Sequence, residues 1–359
     1  MKTGILIFIF FVTFTLSGFG QSKPTNILDY GKLDGLALNK DIKAILKELD
    51  NMTPVTENDQ KYKSNYENRF KNKNDRTDYF VKKDTTLNPL NRIFQVYWRK
   101  SMLDNTANYD KYSQKKLVAF YKVENLKDKF TDFKIGKGTL DSVFNNYIKT
   151  KGYLSTGYGK TGSLFDFLVW KKNTDTTYHI KLINDTIDVN IHFMDGFISL
   201  GWEEYATFGK YYPGGWTTKQ ALFCVRQAYN IKSESFLISY LGHEGQHFSD
   251  YKHYPNLIGN DLEYRAKLSE LTFANENLYK IIENFISSAR YDKTNSHPFA
   301  NYCVIRDMSK LLLNDDFEKD MLKWKQISKT DINNAARKLF LQNTEKLNTS
   351  GKDVKGIIE

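Results

Sequence analysis

Cysteine is scarce in this chain: Cys224 and Cys303 are the two among 359 residues. That excludes a disulfide-stapled scaffold and a C-x-x-C metal clip, and both thiols are expected to be buried. Long apolar runs are as rare. One occurs, at residues 4–16, behind a lone Lys2 and ahead of the small residues Ser17, Gly18 and Gly20. This is the layout of a secretory signal peptide over residues 1–20, too short and too poorly flanked for a transmembrane anchor. The mature protein is therefore expected outside the cytoplasm, periplasmic or secreted, with no stable membrane insertion. Internal repeats and low-complexity linkers are missing. So is a phosphate-binding loop: in KGYLSTGYGKTG (151–162), Leu154 stands where the first glycine of a P-loop is required.

What is present is ordinary for a folded protein: 40% hydrophobic and 26% charged residues over a length that can bury a substantial core. The net charge of +10 raises the question of a nucleic-acid partner. In QKYKSNYENRFKNKNDR (60–76), however, the basic residues alternate with Asn, Asp and Glu instead of lining one face. No nucleic-acid partner is expected, only a mild attraction to anionic surfaces.

Periodicity sets the organisation. Ile42, Ile45, Leu46 and Leu49 fall on one helical face, as do Leu90, Ile93, Phe94 and Tyr97, and then Leu140, Val143, Phe144 and Tyr147. After Leu164 the period changes to two. Residues 178–182 and the set Ile187, Val189, Ile191 and Phe193 read as half-buried strands joined through Asn184-Asp185, with His179 and His192 on their polar faces. Asp195-Gly196 suits a hairpin turn into FISLGW. Beyond residue 231 the pattern is helical again. The expected fold is α+β, with a helical N-terminal region over 21–135 and a catalytic unit over 136–359.

The chemistry concentrates in YLGHEGQHFSDYKHYP (240–255). Ser233 or Ser235 can cap a helix there, and Pro255 ends it at Tyr254. On that helix His243 and His247 lie one turn apart, about 40° from alignment, so both imidazoles can reach one ion. Glu244, about 100° around from His243, is placed to take a proton from a water that a bound Zn²⁺ acidifies. The downstream segment NLIGNDLEYRAKLSELTF offers Asn260 or Asp261 as the cap of a second helix, with Glu263 in its first turn.

HEGQH resembles the zinc-binding helix of the zincin metallopeptidases, and two branches supply different third ligands. In the metzincin pattern His253 has the right spacing, but Asp250 replaces the glycine that turns the chain back. In the gluzincin pattern Glu263 is the ligand. EYRA is similar to that branch's second-helix signature, with Lys267 where several members have an aspartate that orients the first histidine. The resemblance implies a zincin-like fold, an antiparallel-rich sheet with a helical lobe, that holds Zn²⁺ through His243, His247 and Glu263. Glu270, nearly two full turns beyond Glu263 on the same helix face, is placed to hold a histidine ring or serve as an alternate ligand. The resemblance also implies a downstream group that stabilises the oxyanion, for which His297 is the candidate with Tyr264 and Arg265 as rival donors, and an edge strand that receives substrate, for which the segment 214–229 is the candidate. The function it implies is an exported zinc peptidase acting on a peptide or protein substrate. The alternative is a non-catalytic periplasmic or surface binding protein on the same scaffold. Oligomeric state is not legible.

Overall fold

The computed structural model describes residues 28–71, 85–124, 137–217 and 221–358. The expected signal segment and the end of the 60–76 basic stretch lie outside them. In chain order the helices and strands are α1 (Tyr30–Leu38), α2 (Ile42–Asp50), α3 (Glu57–Tyr66), α4 (Asn88–Leu103), α5 (Asp110–Val123) and α6 (Lys137–Thr150), then β1 (Leu154–Ser155), β2 (Lys160–Thr161), β3 (Leu164–Phe165), β4 (Leu168–Trp170), β5 (Lys172–Lys181), β6 (Thr186–Asp195) and β7 (Ser199–Leu200). They continue through α7 (Trp202–Ala206), β8 (Gly215–Thr217), β9 (Leu222–Val225), α8 (His243–His253), α9 (Gly259–Phe273), α10 (Leu278–Ser288), α11 (Ser296–Leu313), α12 (Met321–Gln326) and α13 (Lys329–Ser350).

The chain divides into two compact units. Of the described residues, one unit takes those from 28 to 174 together with 194–216, and the other takes those from 175 to 193 and from 217 to 358. The division expected at 135/136 is therefore not where the chain divides. The reason is aromatic packing: Phe94 of α4 stacks on Phe167 at 5.0 Å between ring centroids and meets Phe144 of α6 edge-on at 6.0 Å. Tyr158 lies flat on Phe165 at 4.2 Å, and Trp98 of α4 donates through its indole N–H to the Phe165 carbonyl at 2.8 Å. Such ring pairs contribute about 0.5–1.5 kcal/mol each beyond their burial, so α4, α6 and the short strands share one core.

The turn at Asp195-Gly196 also resolves differently from the hairpin expected there. Gly196 adopts φ 73°, but β7 pairs antiparallel with β4, Leu168 opposite Leu200, in the order β1-β4-β7. Hydrogen bonds from Lys171 N–H to Asp195 O (3.0 Å) and Ile198 N–H to Val169 O (2.8 Å) hold the returning chain on β4. Asp166 and Glu203 are both buried in this unit. Burial pushes the Asp166 carboxyl up to about 7, and burial together with the neighbouring Asp166 pushes Glu203 up to about 8.

The second unit sets helices against a four-stranded sheet of order β5-β6-β9-β8. β5 and β6 are closed by a tight link in which Leu182 N–H donates to Asp185 O at 2.8 Å. Ile180, Val189, Ile191 and Phe193 bury on one face with Phe236, Tyr240 and Leu241. Cys224 joins this core, while Cys303 joins the one formed by α9, α10, α11 and α13; the two thiols are not bonded to each other. α9 is the centre of the helical layer, packed by α8, α11 and α13.

A carboxyl group whose folded pKa is raised supports stability below its unfolded pKa, and that support is lost as pH rises through the folded value. Glu203→Gln should therefore change stability little at pH 5 and become the more stable protein at pH 9, the margin widening by about 3 kcal/mol in urea unfolding. A margin that does not change with pH would contradict the burial argument.

Candidate metal centre

The helix carrying His243 and His247 opens as expected and then departs from expectation. The Ser233 hydroxyl accepts from Phe236 N–H at 3.2 Å, which caps the start, and Tyr254 leaves helical geometry just before Pro255. Between the cap and α8, however, Ser235–Gly242 forms a π-helix, a rare winding that recurs beside functional sites. α8 itself is buried on most of its circumference. Gly245 lies against the sheet, where an added Cβ would sit 3.2 Å from Ile180 Cδ1 and 3.4 Å from Ile187 Cδ1. The glycine inside HEGQH thus lets α8 approach β5 and β6, while the imidazoles project toward α9.

α9 presents Glu263 to both rings. His243 Nε2 is 3.4 Å from Glu263 Oε2, and His247 Nε2 is 3.3 Å from Glu263 Oε1. The three side chains are at most 2% exposed. They form a group whose ligand atoms all lie within 4.8 Å of one another, and among the described residues it is the one His, Cys, Asp and Glu cluster with that geometry. These contacts are longer than the roughly 2.7–3.2 Å of an N–H···O hydrogen bond. They do match the edge of a zinc tetrahedron: ligands about 2.0–2.1 Å from a central ion stand about 3.4 Å apart. Two imidazoles and a carboxylate are also a donor set that Zn²⁺ accepts. The residues fit the ion.

Surrounding groups orient this set. Glu270, two turns beyond Glu263, places Oε1 2.6 Å from His243 Nδ1, which fixes the ring and turns Nε2 toward Glu263. Burial alone would lower the His243 pKa, but the Glu263 and Glu270 carboxylates outweigh it and raise it to about 9. Burial would likewise raise Glu263, yet His243 and His297 hold it well below the usual carboxylate range. Glu244 is buried, and the Thr217 hydroxyl at the end of β8 donates to its Oε2.

Several residues lie elsewhere than expected. His297 is not in a loop before Pro298 but in the first turn of α11, with Nδ1 2.9 Å from Glu263 Oε2. That contact makes it a partner of the Glu263 carboxylate. The Tyr264 hydroxyl donates to Asp307 at 2.8 Å. Arg265 is committed to Asp250 through Nε at 2.9 and 3.0 Å, and to Asn343 and Thr344 through Nη1 at 2.9 Å. Neither rival donor faces the centre. Neither Asn260 nor Asp261 caps α9, which begins at Gly259; Asp261 instead accepts from the N–H groups of Ile357 and Ile358, and Asn260 donates to Lys293 O. His253 ends α8 half-exposed, 3.5 Å from Asp185, and His179 and His192 pair with Asp188 and Asp175 on the sheet.

Two features of the site were not read from sequence. Asp250, singled out only as a missing glycine, is the buried anchor that ties α8 to α9 through Arg265, with Gln246 donating to it at 2.9 Å. The Arg265 guanidinium also covers the Phe340 ring at 4.1 Å, which brings α13 into the same joint. The only signal was an Arg two residues beyond Glu263, too common to stand out. No family model, curated protein or solved structure matches the chain.

Removing one partner of a buried ion pair leaves the other charge uncompensated and typically costs about 3–5 kcal/mol. Arg265→Met should lower unfolding stability by that order in denaturant titration. A loss under about 1 kcal/mol would show that α8 and α9 are held by apolar packing alone.

Proposed function

We propose that this chain is an exported zinc-dependent peptidase, with His243, His247 and Glu263 holding the metal and Glu244 as general base. The observation that carries the reading is the placement of both imidazole Nε2 atoms 3.3–3.4 Å from one buried carboxylate that arrives from a separate helix. A zinc ion held there supplies Lewis acidity, polarising a carbonyl and lowering the pKa of water toward about 7.

The rest is the work of the chain. Glu270 keeps His243 Nδ1 occupied, so the Nε2 lone pair faces the centre. Glu244 follows His243 in the same helix and accepts the proton of the attacking water, then delivers it to the leaving amine. The Thr217 hydroxyl holds its carboxylate in place. Thr217 closes β8, which among the described residues has one neighbour in the sheet, β9. An extended peptide adding to that edge by backbone hydrogen bonds would bring its scissile carbonyl toward Glu244, as strand addition does in other peptide-binding proteins. The substrate class is therefore a peptide or an unfolded protein segment.

Burial favours one other reading. Glu244 and the three ligands are at most 2% exposed, the closed character of a structural metal site, which fits a non-catalytic binding protein.

Zinc analysis and hydrolysis of a peptide library separate these readings. The purified protein should hold about one zinc per chain. His243→Ala and Glu263→Ala should lose it along with activity, while His253→Ala should retain both. Retention of zinc in Glu263→Ala with loss in His253→Ala would overturn the ligand assignment. Glu244→Gln should keep the metal and reduce hydrolysis by at least about 100-fold. Wild type and Glu244→Gln equally inert across the library would favour the binding reading.

A further inference from the structure

The gluzincin-like pattern places a carboxylate one helical turn beyond the glutamate ligand to orient the first histidine. This chain has Lys267 there, and Glu270 takes the His243 ring instead, at 2.6 Å. That leaves Lys267 without the orienting role, yet it is not a surface lysine. It is 6% exposed, its Nζ lies 3.7 Å from Glu263 Oε2, and the ammonium sits 4.9 Å from the centre of the Phe285 ring. His297, from α11, meets the same oxygen at 2.9 Å.

The two oxygens of Glu263 are thus in unequal surroundings. Oε2, which lies 3.4 Å from His243 Nε2, is also approached by a buried ammonium and by an imidazole from outside the HEGQH helix, whereas Oε1 faces His247. Charge points the same way. Glu244, Glu263 and Glu270 are three buried carboxylates. Against a dication they leave one negative charge in a poorly solvated interior, where an unbalanced charge is costly, and the Lys267 ammonium cancels it.

We propose that Lys267 and His297 are positioning residues that hold Glu263 by Oε2, so that it ligates the metal through Oε1 alone and leaves a coordination position open. The inference rests on the metal-site reading above. A glutamate released from this hold can turn both oxygens to the ion, occupying the position that water and substrate need. His297 then serves the metal through Glu263 and not as a donor to the oxyanion. Lysine at position 267 is a functional replacement for the expected carboxylate, made possible because Glu270 has assumed the carboxylate's task.

The test uses the full mature chain loaded with Co²⁺, whose visible spectrum reports coordination number, and compares wild type with Lys267→Met, Lys267→Arg and His297→Ala. Wild type should give the intense bands of a four-coordinate ion. Lys267→Met and His297→Ala should weaken Co²⁺ binding by about 10- to 100-fold in chelator competition and shift the spectrum toward the weaker bands of five-coordination. Lys267→Arg should restore affinity to within roughly threefold, since it keeps the charge. Thermal unfolding of the ion-free variants checks that each is folded, and if Lys267→Met is not, the His297→Ala and Lys267→Arg results decide. Wild-type affinity and spectrum in the folded variants would overturn the proposal while leaving the ligand set intact. Failure of wild type to take up stoichiometric Co²⁺, or its retention by His243→Ala, would overturn the ligand set and this proposal with it.

Discussion

The site depends on the antiparallel packing of α8 against α9. Two imidazoles one turn apart on one helix have no chemistry of their own until a carboxylate arrives opposite them, and the 15 residues between His247 and Glu263 bring it there. The buried Asp250–Arg265 pair fixes that arrangement lower down the same helix pair, and Arg265 extends it to α13 through Asn343 and Phe340. On the other side Gly245 lets α8 sit close to Ile180 and Ile187. The helix is therefore gripped between a sheet and a helical layer, and His243 and His247 have little freedom to move.

Such grip matters because the polar groups at this centre are costly to bury. Five titratable side chains, His243, His247, Glu244, Glu263 and Glu270, lie almost without solvent, with Lys267 and Asp250 beside them. Each is tolerable only with a partner at close range, and each partner constrains the next. Glu270 determines which nitrogen of His243 faces inward, and His297 and Lys267 distinguish one oxygen of Glu263 from the other. A dication at the centre of this group would satisfy both rings and the carboxylate together. On the proposed reading, that is how a cluster so polar is compatible with an interior so closed.

Much of this was legible in local sequence and part was not, for one physical reason. Spacing along a helix is a local property, so the shared side of His243 and His247, the cap at Ser233, the stop before Pro255 and the alignment of Glu270 with Glu263 can all be read from neighbouring residues. Contacts between distant segments leave no periodic trace. Asp261 resembled an N-cap but is taken by the backbone of Ile357 and Ile358, nearly a hundred residues away. Asp250 and Lys267 looked like departures from a pattern because their partners, Arg265 and Glu263, become visible only once the helices are packed. The domain boundary failed similarly: residues 136–174 carry the rings that complete an aromatic core begun at α4.

The central claim is that one metal ion sits between His243, His247 and Glu263. X-ray diffraction from crystals of the purified protein, recorded on both sides of the zinc absorption edge, tests it most directly. The account predicts a single strong anomalous peak about 2.0–2.2 Å from His243 Nε2, His247 Nε2 and one oxygen of Glu263. A peak at His253, or no peak between α8 and α9 in crystals grown with zinc, would contradict it.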